Sequence, residues 1–400
     1  MSLSVSRKAK EVRPSSTLAI TARAKEMQAE GLDVVGFGAG EPDFNTPANI
    51  REAAVRAIEE GFTKYTEASG TEELKRAVCR KFERFNHLHY EPEQIVISNG
   101  GKHSLTNIFT AIINPGDEVI IPSPYWLSYP EIVKLAGGVP VYVRGYKSNG
   151  YKVSAEQIRA AVSDKTKAVI INSPNNPTGM VYTEEELRAI AAVAVECDIY
   201  VISDEIYEQL NYDEGGNTVS IASFDKEIYR RTITCSGVSK SYAMTGWRIG
   251  YTGSNPELAR LMGSIQSHQT SNPNSIAQKA AYEALTGSQE EAIRMGEEFL
   301  RRSEYIYRRV SEIPQLSALK PQGAFFLFVD CSRLLHRDYK GIPVESAARI
   351  AEILLEDYLV AVVPCGDFGF PDHIRLSYAI AQDQIEKGMD RIAEFIQKLE

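Results

Sequence analysis

Short runs of apolar and β-branched residues alternate with longer stretches whose apolar positions recur at helical spacing, from about Asn49 onward. The short runs predict strands at Gln94–Ser98, Glu118–Pro122, Val139–Val143, Ala168–Asn172, Ile199–Asp204, Thr232–Ser236 and Ile249–Gly253. The periodic stretches predict helices at Ala48–Glu60, Glu72–Asn86, Lys102–Ile113, Ser128–Ala136, Ser154–Ala161, Thr183–Glu196 and Pro256–Gln266. Such alternation implies an α/β domain with a mostly parallel sheet, and several strands are apolar enough to be buried on both faces. Beyond it the pattern changes. A long charged helix, about Gln289–Glu312, leads to a strand at Ala324–Asp330, a helix near Val344–Glu356, a strand at Val360–Val363 and a closing helix from Gln382. This reads as a smaller α+β domain. The expected division is 48–288 for the large domain and 1–47 with 289–400 for the small one; periodicity alone does not attach 1–47.

Composition narrows the class. A chain of 400 residues exceeds one small core, which supports two domains. The net charge of −9 argues against nucleic acid or an anionic membrane as partner. No apolar run is long enough to span a membrane, and the polar start, Met1 to Lys10, lacks the apolar core of a secretory signal. Cys79, Cys197, Cys235, Cys331 and Cys365 are scattered, odd in number and never in a CxxC pair. That suits reduced thiols in a cytoplasmic protein, with neither a disulfide framework nor a metal site.

Candidate chemistry concentrates at the C-terminal ends of the predicted strands, where ligands of open α/β sheets bind. In the stretch 236–250, Lys240 sits among small and hydroxyl residues with Arg248 eight positions on. A lysine amine shifts its pKa readily and becomes a nucleophile near neutrality when buried or set beside cations. A nearby guanidinium clamps phosphate through two parallel hydrogen bonds. A phosphate-bearing aldehyde held as a Schiff base needs this combination, and pyridoxal 5'-phosphate is the common cofactor of that kind. The stretch taken alone also fits a Ser/Gly loop with a solvated lysine. Asp204 ends an apolar strand, where an unpaired carboxylate is costly, although aspartate also caps helices. Asn99-Gly100-Gly101-Lys102 follows a strand and opens a helix, so its amides can cradle an anion. It is not a P-loop, because His103 follows Lys102; nor is Gly36-Phe37-Gly38-Ala39-Gly40 a dinucleotide fingerprint, because Glu41 breaks it. Arg375 lies at the start of an apolar strand, Leu376-Ser377-Tyr378-Ala379, and has the fork geometry that carboxylate recognition calls for.

Four motifs stand in order: Asn176-Pro177-Thr178-Gly179, Asp204-Glu205-Ile206-Tyr207, Ser239-Lys240 with Arg248, and Ile374-Arg375-Leu376-Ser377. Together they resemble the class I, fold-type I pyridoxal-phosphate-dependent aminotransferases, over nearly the whole chain from about Arg13. Gly40-Glu41-Pro42-Asp43-Phe44, Ser123-Pro124-Tyr125-Trp126 and Met244-Thr245-Gly246-Trp247-Arg248 narrow the resemblance to the bacterial branch of aspartate aminotransferase-like enzymes that includes prephenate aminotransferases. The implied fold is a large domain with a mostly parallel seven-stranded sheet and a small α+β domain built from both termini.

The resemblance also implies roles. Lys240 would hold the cofactor and move the substrate proton. Asp204 would pair with the ring nitrogen; Tyr207 and Asn176 would reach the phenolic oxygen; Trp126 would stack on the ring. Gly100, Gly101, Lys102, Ser239 and Arg248 would surround the phosphate, joined by Tyr65 from a second subunit, so the resemblance implies a homodimer with shared sites. Arg375 would take the α-carboxylate with the Gly40 backbone assisting. Thr17, Arg13 and Lys102 would face a distal carboxylate. Bland alternatives stand beside several of these: a turn for Asn176, core for Trp126, a surface tyrosine for Tyr65, an ion pair for Arg375, and a helix start for Thr17 with Arg13 exposed. Two departures stand out. Gly237 occupies the position where many relatives carry serine, with Ser236 one earlier, and Cys365 replaces a glycine in Val363-Pro364-Cys365-Gly366-Asp367-Phe368-Gly369. Trp247 is expected in the core. The expected activity moves the amino group of L-aspartate or glutamate to a 2-oxo acid such as 2-oxoglutarate, with prephenate a further acceptor. A broad aromatic or methionine aminotransferase and a carbon–sulfur β-lyase are the alternatives, and a regulatory module is disfavoured by the absence of a preceding DNA-binding domain.

Overall fold

Isoleucine and valine dominate the strands because their branched side chains pack well on a pleated surface. The computed structural model describes residues 4–12, 14, 16–212 and 219–400. In it the seven predicted runs form one sheet: β1 (Ile95–Ser98), β2 (Glu118–Ser123), β3 (Val139–Arg144), β4 (Thr166–Asn172), β5 (Tyr200–Asp204), β6 (Thr232–Gly237) and β7 (Gly250–Gly253). Their spatial order is β1-β7-β6-β5-β4-β2-β3. All run parallel except β7, which is antiparallel to both neighbours. Successive residues face opposite sides, as the pleat requires. Ile121, Ile170, Ile202 and Ile233 join one core with the helices Gly101–Ile112 and Pro256–Gln269. Ile120, Val169, Ile171 and Val201 join another with the helix Glu184–Glu196. Each such side chain contributes roughly 1.5–3 kcal/mol by leaving water. Strand β3 departs from the two-faced expectation: it lies at the edge, and Val139 and Tyr142 are about half exposed.

The helix boundaries shift for local reasons. Ser154 and Thr183 are caps, not first helical residues: their hydroxyls accept from the amides of Gln157 at 3.3 Å and Glu186 at 3.2 Å. The helix Ser275–Thr286 was not anticipated. Its buried face is Ala277, Ala280, Ala281 and Ala284, which packs closely without the large apolar residues that mark a periodic stripe.

A second, four-stranded antiparallel sheet has β8 (Ser317–Ala318), β9 (Phe326–Asp330), β10 (Val363–Pro364) and β11 (His373–Ser377) in the order β10-β11-β9-β8. The strand expected at Val360–Val363 is split. Val360–Ala361 pairs in parallel with Val35–Gly36 of the N-terminal stretch, and after Val362 the chain changes partner to β11. Arg375 is likewise not at a strand start but in the middle of β11, opposite Phe328 and Val363, because His373 and Ile374 extend the pairing. The N-terminal helix Ser16–Ala29 packs beside this region, burying Ala24 and Met27 with Val34 and Ala361.

Among the described residues no helix is long and apolar enough to cross a membrane. All five cysteines are unpaired.

Candidate active site

Strand ends release their last backbone groups from the ladder, so side chains there are free to turn into the crevice. A cavity of about 460 Å³ opens at that edge. Asp204 closes β5, Lys240 follows β6 by three residues, and Trp126 follows β2 by three; all three line the cavity with Asn176, Tyr207 and Arg375. Thr17, Gly40, Gly101, Lys102, Ser239 and Arg248 complete the set of predicted residues along its wall.

Asp204 is buried. Its Oδ2 accepts from the Tyr129 hydroxyl at 2.6 Å and its Oδ1 from the Ile206 amide at 3.2 Å. Burial pushes its carboxyl up to about 6, against the pull of those two hydrogen bonds and of Lys240. No α-helix follows, only the single turn Glu208–Leu210, so the helix-cap alternative does not apply. Asn172 ties the neighbouring loop to this strand: its Nδ2 donates to the Asp204 carbonyl at 3.0 Å and its Oδ1 accepts from the Asn176 amide at 2.9 Å.

Lys240 donates from Nζ to the Gly40 carbonyl at 2.5 Å and lies 5.8 Å from the Phe325 ring centre. Burial lowers its amine to about 8; Glu41 opposes that shift, and Arg248 and Arg375 add to it. Ser239 is buried beside it. The Ser236 hydroxyl turns away, donating to Glu208 Oε1 at 2.6 Å, so it supplies nothing to the cavity. Gly237 is crowded: a Cβ would stand 3.0 Å from the Ile249 carbonyl and 3.1 Å from Gly250.

The far end of the cavity is cationic. Gly100 precedes the helix Gly101–Ile112 with φ +87°, and a Cβ there would overlap the Arg248 guanidinium. Arg248 Nη1 donates to the Thr245 carbonyl at 2.8 Å and Nη2 to the Asn99 carbonyl at 3.3 Å. The first amides of that helix have no intrahelical acceptor. A guanidinium pressed against a Gly-Gly helix start is suited to an anion of phosphate's size and charge.

On the opposite wall Arg375 is 2% exposed, 4.4 Å from the centre of the Phe326 ring and 5.5 Å from that of Phe368. Nη1 donates to Asn176 Oδ1 at 2.9 Å and Nη2 to the Gly38 carbonyl at 3.3 Å. Gly40, expected to assist with its backbone, lines the same cavity, and its carbonyl accepts from Lys240. Nε is buried without a partner among the described residues, an orphan that a carboxylate would satisfy. The Thr17 hydroxyl is a second such orphan on the same cavity. Tyr207 packs edge-on to Phe325 and Phe326, and burial holds its hydroxyl well above the usual range, with Arg375 and a bond to Asn176 opposing.

Lys102 Nζ lies 4.9 Å from the centre of the Trp126 ring, and burial, then Arg248, lowers its amine. Arg13 lies outside the described residues. Tyr65 is 89% exposed and away from the cavity of its own chain. Trp247, expected in the core, is half-buried at the edge of one, packed against it while its Nε1 donates to Thr46 Oγ1 at 2.9 Å. Cys365 is buried with its thiol toward the Val363 carbonyl at 3.6 Å, ahead of the turn that carries Phe368 under Arg375. Sequence reasoning missed Tyr129, Asn172 and Glu41. Tyr129 sits one helical turn after Trp126 and meets it edge-on at 5.3 Å, a spacing that was available as a signal. Glu41 accepts from the Thr245 hydroxyl at 2.7 Å, a contact across the fold that no spacing reveals.

Comparison with known proteins gives a consistent picture. Residues 32–392 match the family described as aminotransferase class I and II. The chain is 50% identical over 387 residues to an aspartate aminotransferase of Bacillus sp. (strain YM-2), covering 97% of each. It is 47% identical over 386 residues to an aspartate/prephenate aminotransferase of Cereibacter sphaeroides, covering 96% of each. The structure superimposes on the aspartate aminotransferase of Thermus thermophilus solved with maleate with a TM-score of 0.93, at 42% identity over 98% of this chain and 100% of that one.

Proposed function

The chain belongs to the class I and II aminotransferases, and from that premise we propose that it transfers the amino group of L-aspartate or L-glutamate to a 2-oxo acid such as 2-oxoglutarate, in two half-reactions, with pyridoxal 5'-phosphate as its cofactor. The observation that carries this reading is the convergence of Lys240, Asp204 and Arg375 on one cavity, with the Gly100–Arg248 cradle at its end. These residues fit the cofactor's three functional groups. A lysine near pKa 8 suits its aldehyde, a buried acid its ring nitrogen, and a guanidinium at a helix start its phosphate. When bound, the cofactor supplies the electron sink that accepts the pair left at the substrate's Cα.

The protein does the rest. Lys240 holds the cofactor and moves the Cα proton, for which an amine near neutrality is suited. Asp204, kept at its position by Tyr129, holds a proton on the ring nitrogen. Tyr207 and Asn176 meet the phenolic oxygen, and Trp126 covers the ring face. Arg375 receives the α-carboxylate, for which its Nε is buried and without a partner among the described residues. Lys102 and Thr17 face the distal carboxylate and favour aspartate and glutamate over aromatic amino acids. The dicarboxylate maleate in the Thermus neighbour and the names of the curated relatives support that preference, and prephenate is a further acceptor on the same ground.

The working unit is a homodimer in which Tyr65, exposed in its own chain, reaches the phosphate of the other subunit. Each chain divides into a large domain, 48–288, and a small one, 1–47 with 289–400. Five unpaired thiols suit a reducing, cytoplasmic setting.

The test is an absorbance spectrum of the cofactor-loaded protein before and after L-aspartate and, separately, L-phenylalanine. A yellow band that bleaches with aspartate and barely with phenylalanine is expected. Bleaching with phenylalanine alone overturns the acidic preference, and a protein that takes up no cofactor overturns the whole reading.

A further inference from the structure

The turn that carries Asp204 and Tyr207 has a second face. Asp204, Ile206 and Tyr207 line the cavity, whereas Glu205 and Glu208 point the other way and are 2% and 6% exposed. There they meet Lys81 and Asn86 of the helix Glu72–Asn86, both buried. Asn86 Nδ2 donates to Glu205 Oε2 at 2.8 Å and to Glu208 Oε2 at 2.6 Å. Lys81 donates to Asn86 Oδ1 at 2.9 Å and pairs with Glu208 Oε1. Glu205 Oε1 accepts from the hydroxyls of Ser203 at 2.7 Å and Ser220 at 2.6 Å, and Glu208 Oε1 from that of Ser236 at 2.6 Å. The cluster thus joins β5, the turn, and β6 four residues before Lys240, and none of its members lines the cavity.

Two buried carboxylates on one lysine are a poor choice for stability alone, since apolar residues of similar volume often do as well or better. What the cluster supplies is direction. Its hydrogen bonds reach the turn from several elements and leave it little freedom to rotate or slide. Arg375 sits on the other sheet and takes no part.

We propose that Glu205 and Glu208, clamped by Lys81 and Asn86, are positioning residues that fix from behind where Asp204 and Tyr207 meet the cofactor ring. The inference rests on the cofactor reading above. Truncating the anchor therefore slows the chemistry while leaving substrate capture by Arg375 intact.

The experiment uses the cofactor-loaded protein with L-aspartate and 2-oxoglutarate. Two variants are compared: Glu208→Gln, and Lys81→Met/Glu208→Leu, which removes both members of an ion pair together. The expected result is a kcat lowered about tenfold with the aspartate KM within about twofold. The pH midpoint of the visible band moves as well, because the ring's charged partner has shifted. Ser236→Ala, which leaves every charge in place, gives the same split at about threefold and guards against loss of folding in the others. Folded variants with unchanged kcat and band, or with kcat and KM disturbed in proportion, overturn the proposal. Wild-type protein that takes up no cofactor overturns the function reading and this inference together, whereas active wild type beside unaffected variants overturns the inference alone.

Discussion

The seven-stranded and four-stranded sheets face the same cavity but deliver their side chains by different routes. From the first, Asp204, Lys240 and Trp126 arrive at or beyond the ends of strands, where the backbone has left the ladder. From the second, Arg375 arrives from mid-strand, paired on both sides and packed against Phe326 and Phe368. Strand ends allow each group its own loop and neighbours, and the proton affinities move accordingly, Lys240 down to about 8 and Asp204 up to about 6. A mid-strand position allows no such adjustment. It suits a residue whose task is to hold direction, because guanidinium keeps its charge at any working pH. Groups that exchange protons sit where the chain is adjustable; the group that orients sits where it is not.

The largest effect that would break this contrast lies at Lys240. Lys240→Ala is expected to lower kcat by at least about 10⁴-fold, while a dicarboxylate such as maleate still binds through Arg375. Loss of that binding in calorimetry would show that the two walls are not independent.

Asp204→Asn is expected to lower kcat by about 10³-fold, and it also tests the burial argument. The carboxyl titrates near 6 in the folded apoprotein and at an ordinary value of 3.8 when unfolded. Its burial therefore weakens the fold progressively as pH rises from about 4 to about 6, and by a constant amount above that. The asparagine variant should gain roughly 2 kcal/mol at pH 7.5, a gain that vanishes toward pH 4. Denaturant melts of apoprotein at the two pH values measure it; an equal gain at both would sink the explanation.

Arg375→Lys keeps the charge and discards the fork. A rise of about 10²-fold in the aspartate KM, with a smaller change in kcat, is expected from steady-state rates. The smallest effect is at the exposed edge. Lys102→Met should cut kcat/KM for aspartate about tenfold and leave phenylalanine unchanged, since the lysine is partly solvated and its attraction screened. Equal losses for both substrates would reassign Lys102 to the cofactor.

Much of the fold was legible because its signals are local. Strand and helix periods and glycines ahead of a helix are written over a few neighbouring residues, whereas Ser154 and Thr183, expected inside their helices, are the caps. What was missed depended on partners. The alanine face of Ser275–Thr286 is recognisable only once something packs on it, and the change of partner at Val362 exists only because the N-terminal stretch returns to pair there. In the site, chemical types such as Lys240, Asp204 and Arg375 were readable, and Tyr129 carried a signal in its spacing from Trp126, while Glu41 did not, its role lying in a contact across the fold.

By itself, then, the sequence determined the succession of elements and the kinds of side chain at the strand ends, since both follow from backbone period and residue chemistry. Only the tertiary structure decided that Lys240 meets the carbonyl of Gly40, 200 positions away, that Arg375 bonds Asn176 and Gly38, and that Glu205 and Glu208 turn from the cavity to Lys81 and Asn86. Burial and charge proximity, which set the proton affinities here, belong to those distant contacts.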